Sequence, residues 1–257
     1  MVKPMVLPEQ RFWEVDLLRG CAIVLMIIYH TFYDLDLLGN FSFAVNQGKL
    51  WIIGRSSAVL FIYTAGIALG LSYSRYRLKH PENRNPWHKY VKRGIRIFLW
   101  GSLITLVSWF AYPSMPIIFG ILHFLGISII IAYPLIEKKH ANLIISAVVI
   151  AIGFYLKTIR VPNDWFLWLG VHSTSFQTLD YFPLLPWFGL VLIGIATSNH
   201  LYPAYERKFN IPDMTGLAPV RLLTAMGKGS LAMYLLHQPA IILILYLLGL
   251  ISFPFSF

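Results

Sequence analysis

A single cysteine, Cys21, stands in 257 residues, so the chain can form neither an intramolecular disulfide nor a cysteine-rich metal site. Charge is scarce too. Asp, Glu, Lys and Arg make up 12% of the chain, against roughly 25% in a soluble domain, and this excludes an ordinary water-facing surface. Acidic residues number 11 against 21 Lys and Arg, giving a net charge of +10. Internal repeats, low-complexity tracts and a separate polar domain are absent. A cleavable signal peptide is not expected, because the first apolar stretch is too long, carries Arg19 and lacks a small-residue cleavage site.

What the chain has instead is hydrophobic length, with 57% of its residues apolar or aromatic. Runs of about 20 apolar residues are long enough to cross a bilayer. Seven such runs stand out, near 15–38, 53–74, 93–112, 116–136, 141–158, 181–199 and 229–253. They predict an all-α, polytopic membrane bundle of about seven transmembrane helices that uses residues 1–257 as one domain. Alternating sides across seven spans puts 17 of the 21 Lys and Arg on one side. That side holds the N-terminus, the cluster from Arg75 to Arg96 that includes Arg84, and Lys138, Lys139, Arg207, Lys208, Arg221 and Lys228. Only Lys49, Arg55, Lys157 and Arg160 fall opposite. Cytoplasmic loops carry the excess of Lys and Arg, so the N-terminus is expected inside, the C-terminus outside, and the protein multi-pass in the cell membrane. Trp51, Trp109, Trp165 and Trp168 fall near the outer interface. The positive charge then belongs to an anionic leaflet or to phosphates, and no nucleic-acid partner is expected.

Polar residues within the spans are few and therefore informative. An ionisable side chain in a membrane span is costly and marks a functional-site candidate. Arg19 and His30 lie eleven positions apart in the first run, about three turns and ~16 Å along one helix face. Asp16 precedes Arg19 by three residues and Asp34 follows His30 by four, completing a polar stripe on an otherwise apolar helix. His123 lies in the fourth run and His237 in the last. Pro239 follows His237 and removes the backbone donor that the Leu235 carbonyl would receive. Ten residues from Gly227 reach about 15 Å, a depth matching that from Arg19 to His30, so His237 is expected to line the cavity that His30 lines. Asp180 opens the sixth run. Structural readings stay open for each: an interfacial Asp16–Arg19 pair, a solvated Asp34, an N-capping Asp180, and histidines bonded only to backbone.

The stretch RFWEVDLLRGCAIVLMIIYHTFYDL, Arg11 to Leu35, resembles the opening motif of membrane-bound acyltransferases, with arginine at the start of the first span and histidine eleven positions later. Three more blocks follow in order: GILHFLGISIIIAYPL from Gly120, DYFPLLPWFGLVLIGI from Asp180 and GKGSLAMYLLHQP from Gly227. Together they resemble the heparan-α-glucosaminide N-acetyltransferase catalytic-domain family in a compact prokaryotic form, over roughly residues 10–250. The resemblance implies transfer of an acyl group, usually acetyl from acetyl-CoA, to a sugar-like or small-molecule hydroxyl or amine acceptor. The lysosomal enzyme of that family has a lumenal domain and further spans, so its glucosamine acceptor is not expected here.

Acyl transfer needs a base for the acceptor's proton and donors for a tetrahedral oxyanion. On that reading His30 is general base or acyl relay, with Asp34 orienting its imidazole. His123, His237 or backbone near Pro239 supply oxyanion donors. Arg19, Arg93 and Arg96 bind the coenzyme A phosphates, while Asp180 and Arg55 meet the acceptor. No metal is expected, and a homodimer is left open. Two rivals differ in class: a haem- or quinone-binding protein using the three histidines, and a transporter whose path the stripe lines.

The charge partition makes a direct prediction. With Cys21 replaced, a membrane-impermeant thiol reagent added outside cells should label Gln47→Cys and Ser175→Cys and miss Arg84→Cys. Strong outside labelling of Arg84→Cys would invert the topology.

Overall fold

The computed structural model describes residues 11–83 and 85–252; Arg84, in the basic cluster above, lies outside the described residues. Among the described residues there is no strand. The helices are α1 (Trp13–Leu38), α2 (Gly48–Lys79), α3 (Trp87–Ala111), α4 (Ile121–Ala132), α5 (Lys139–Leu156), α6 (Leu184–Leu201), α7 (Ala218–Lys228) and α8 (Ser230–Leu247). Six of them, all but α4 and α7, are long and apolar enough to cross a membrane, and α4 with its trailing 3-10 turn forms a shorter apolar helix, Ile121–Leu135. A helix satisfies its own backbone, which is why hydrocarbon accepts it. The chain is thus a helical bundle fit for a membrane. Large apolar side chains stay exposed along α3 (Leu99, Leu103, Leu106, Phe110), α5 (Ile144, Val148, Phe154) and α8 (Leu236, Leu243, Leu247), where lipid would cover them. Most of α6, by contrast, is buried.

The chain packs as two compact units, and α2 contributes to both. One holds residues 65–210. In it α3 and α4 run antiparallel and touch through glycines: a side chain at Gly94 would strike the Gly126 carbonyl, and one at Gly101 the His123 ring. α5 and α6 are likewise antiparallel, with Gly153 against Pro186 and Gly189 against Ile150. α4 keeps pace with α6 from end to end. At one end the Phe182 N–H donates to the Phe119 carbonyl at 3.0 Å. At the other the Asn199 amide donates to the Ile136 carbonyl at 2.7 Å. Near that second end Arg77 pairs with Glu137 at 3.1 Å. Tyr90, fully buried, sits there between the rings of Tyr73 and Tyr133.

The other unit holds residues 11–64 and 211–252, hence α1, the first half of α2, α7 and α8. α2 packs antiparallel on α1, with the Ser57 hydroxyl donating to the Ala22 carbonyl at 2.8 Å and Gly54 seated on the Tyr29 ring. α1 and α8 run in the same direction. The end of each meets the other, where Ile241, Leu245 and Ile251 pack on Ile27, Leu35 and Leu38. The Ser252 N–H points to the Leu38 carbonyl at 3.4 Å. The start of α1 is pressed against α7, so closely that a side chain at Gly20 would overlap the Leu223 carbonyl and one at Gly227 the Asp16 carbonyl.

That approach predicts a strict size limit. Gly227→Val should push α7 off α1 and cost about 1–3 kcal/mol, the usual cost of overpacking. Thermal unfolding of the purified protein in detergent checks it; a variant as stable as the parent would show that α7 yields freely.

Candidate active site

The polar stripe of α1 is met from α7 and α8 in three layers. At the entry end, Arg19 is buried and its guanidinium donates to the Asp16 carboxylate at 3.2 Å and to the Gly227 carbonyl of α7 at 3.3 Å. Asp16 also faces Arg11 at 3.5 Å. A cation at a helix's last carbonyls is favoured by the backbone dipoles, so Arg19 ties α7 to α1 as well as neutralising Asp16. Both tight glycine contacts belong to this layer.

About three turns deeper the two histidines meet. The rings of His30 and His237 lie edge to face with centroids 4.9 Å apart. Counting depth along the two helices puts them on one level, and they touch there. Each ring is fixed by its own helix. The Nδ1–H of His30 donates to the Met26 carbonyl at 2.8 Å, and that of His237 to the Tyr234 carbonyl at 2.6 Å. A carbonyl can only accept, so each Nδ1 carries the proton and each Nε2 presents a lone pair. The Nε2 of His237 is buried and has no hydrogen-bond partner. Tyr29 lies against His30 and Tyr234 against His237, walling the pair with aromatic rings.

One turn further Asp34, buried, accepts a hydrogen bond from Gln238 of α8 at 2.7 Å. Here the sequence expectation needs correction: the group that orients the His30 imidazole is the Met26 carbonyl, while Asp34 is held by Gln238. The reason is geometric. The His30 ring turns its Nδ1 back one turn to the Met26 carbonyl, and Asp34 is engaged by the amide that α8 brings beside it. α8 runs through Pro239 as one helix, and the carbonyl that meets the His237 imidazole is that of Tyr234.

A family model described as heparan-alpha-glucosaminide N-acetyltransferase, catalytic, matches residues 11–239, from the first residue of the opening motif to Pro239. The chain belongs to that family. No curated protein and no solved structure matches it. Membership makes the chain a membrane acyltransferase in class, and the histidine layer lies inside the matched region.

The remaining candidates have other surroundings. Arg55, on α2, stacks over Trp51 with its guanidinium carbon 5.7 Å from the ring centroid. His123, Asp180, Arg93 and Arg96 belong to the unit of residues 65–210. His123 is buried between Phe98 and Phe119, with the Thr105 hydroxyl 3.5 Å from Nε2. Asp180 accepts from the Ile121 N–H at 3.1 Å and so caps α4, whose own N-cap is Gly120. Arg93 and Arg96 lie exposed on α3. Among the described residues no group of three or more His, Cys, Asp or Glu could hold a metal ion. The sequence marks Gln238 only as a second polar side chain beside His237 at about the depth of His30, with no partner assigned to it. Its position gave a partial signal: Gln238 is the residue after His237, and its long side chain spans the rise to Asp34, which stands four residues beyond His30.

Asp16→Ala would leave the buried Arg19 charge without its carboxylate. Breaking a buried pair from one side costs about 3 kcal/mol or more, so the variant should unfold in detergent well below the parent. An unchanged melting temperature would mean that the other contacts of Arg19, the Gly227 carbonyl among them, suffice for it.

Proposed function

We propose that this membrane acyltransferase moves an acetyl group from cytoplasmic acetyl-CoA to a sugar-like or small-molecule hydroxyl or amine acceptor, with His30 as general base. The observation that carries this is the pinned histidine pair. With both Nδ1 protons committed to backbone carbonyls, each ring offers only Nε2, a base ready for one proton. In direct transfer His30 Nε2 takes the acceptor proton as the acceptor oxygen or nitrogen attacks the thioester carbonyl. The C–S bond breaks, coenzyme A leaves as thiolate, and the proton passes from His30 to it. His237 stands beside it as the other ring of the pair, its own Nε2 unspent. An acyl-histidine relay through His30 uses the same lone pair.

Polyanionic coenzyme A suits the basic entry end. Arg19 there carries charge at the start of α1, and exposed Lys228 closes α7. The ~16 Å from Arg19 to His30 fits phosphates near the membrane surface and a thioester within it. The charge partition puts Arg93 and Arg96 on the cytoplasmic side and Arg55 and Asp180 on the outer side, where the acceptor would arrive. Topology is part of the proposal. Seven crossings are proposed: α1 and α8 run in the same direction, which suits an odd number, and α4 matching α6 end to end supports counting it as the seventh. An inside N-terminus and an outside C-terminus follow from the distribution of Lys and Arg.

His30→Ala should leave the protein folded in detergent and lower kcat about 10²–10⁴-fold, the share a general base supplies. The assay is acetyl transfer from labelled acetyl-CoA, run with membranes and a panel of amino- and hydroxyl-bearing sugars. Parent-level turnover by folded His30→Ala would end the assignment, and coenzyme A found by mass spectrometry in purified parent protein would support the donor.

A further inference from the structure

The chemistry above uses His30 and His237 and leaves the buried Asp34, one turn from His30, without a task. Asp34 is 1% exposed and, among the described ion pairs, takes part in none. Its contact with Gln238 is half complete. Gln238 Nε2 donates to Asp34 Oδ1 at 2.7 Å. Asp34 Oδ2 and Gln238 Oε1 are both buried and both lack a hydrogen-bond partner. These are the remaining oxygens of a carboxyl and a primary amide already joined by one bond, the two atoms that a second, antiparallel bond would link.

A carboxylate cannot make that bond, because it only accepts; a carboxylic acid can. A single proton on Oδ2, donated to Gln238 Oε1, satisfies both orphaned oxygens and removes an unpaired charge from a place where charge is very costly. Without it, three acceptor oxygens share one N–H pair in the interior. We propose that Asp34 is a neutral carboxylic acid closed onto Gln238 in a two-bond acid–amide ring. Resting on the acyltransferase reading, Gln238 is a positioning residue for the histidine pair. The ring fixes the rotation and register of α8 against α1 one turn from His30 and next to His237. A bidentate pair does this better than a single bond, since two parallel bonds admit one mutual orientation. The proton comes from solvent and stays on Asp34 through turnover.

The test reads the proton itself. Infrared spectra of the full-length protein in detergent at neutral pH should contain the C=O stretch of a protonated carboxyl that shifts on exchange into deuterium oxide. Asp34→Asn should remove this band. Its amide can make both bonds to Gln238 without a proton, so this variant should unfold at the parent temperature. Gln238→Leu should move the band upward as the acid loses its partner, lower the unfolding temperature, and lower kcat roughly tenfold to a hundredfold with KM unmoved, as misplacement of a catalytic group does. Adding Asp34→Asn to Gln238→Glu, which rebuilds the ring with the acid on the other helix, should rescue both. No protonated-carboxyl band in the parent, or one that persists in Asp34→Asn, would overturn the proposal. The infrared and unfolding results need no acyl acceptor, so their failure counts against the acid–amide ring and not against acyl transfer.

Discussion

Hydrocarbon supplies no hydrogen-bond partner, and the polar face of α1 is arranged around that constraint. Asp16, Arg19, His30 and Asp34 lie along the first helix at depths where an unpaired polar group costs several kcal/mol. Each finds its partner within the protein: Arg19 on Asp16 and Gly227, His30 on Met26 and beside His237, Asp34 on Gln238. The packing of α7 and α8 on α1 follows from these pairings as much as from apolar contact. The two glycines at the α1–α7 crossing let the backbones approach far enough for Arg19 to reach the carbonyl of Gly227.

Stability and chemistry draw differently on these layers. The entry layer is a closed ion-pair clamp and the layer furthest from it a carboxyl–amide contact. Both hold helices in register. Between them the histidines keep a lone pair unspent, because each satisfies its donor locally, on a carbonyl of its own helix three or four residues back. A base that is rigidly aimed and still available is what acyl transfer needs, and family membership gives that arrangement its chemical context. Outside this unit, polar groups are used to finish helices: Asp180 caps α4, and Asn199 and Asn142 take up the carbonyls of Ile136 and Leu135.

Much of this was legible in residue order. The spans came from the length of apolar runs, which needs no tertiary information, since a helix of about 20 residues is the unit that a bilayer measures. The run at 116–136 is the instructive exception: helical residues begin only at Ile121, because Pro116 and Gly120 occupy the stretch before it. The apolar run near 229–253 hid a different detail, the separate α7 that ends at Lys228 just before it. Its helix is short and amphipathic, so a search for long apolar windows passes over it.

Sequence alone determined that the chain is helical and membrane-spanning, that Arg19 and His30 share a face three turns apart, and that His237 lies at His30's depth. Those facts follow from the fixed rise and period of the helix, which turn residue number into position. Which groups actually pair was decided only by tertiary structure. Asp34 could as well have turned to His30 as to Gln238; the packing of α8 beside α1, which brings the Gln238 amide to it, chose Gln238. Asp180 could have capped its own helix, yet it caps α4, because the strand of chain before α6 runs beside the start of α4. Partners 59 or 204 residues apart leave no mark on local periodicity, and only the packing of helices brings them within 3 Å or so of each other.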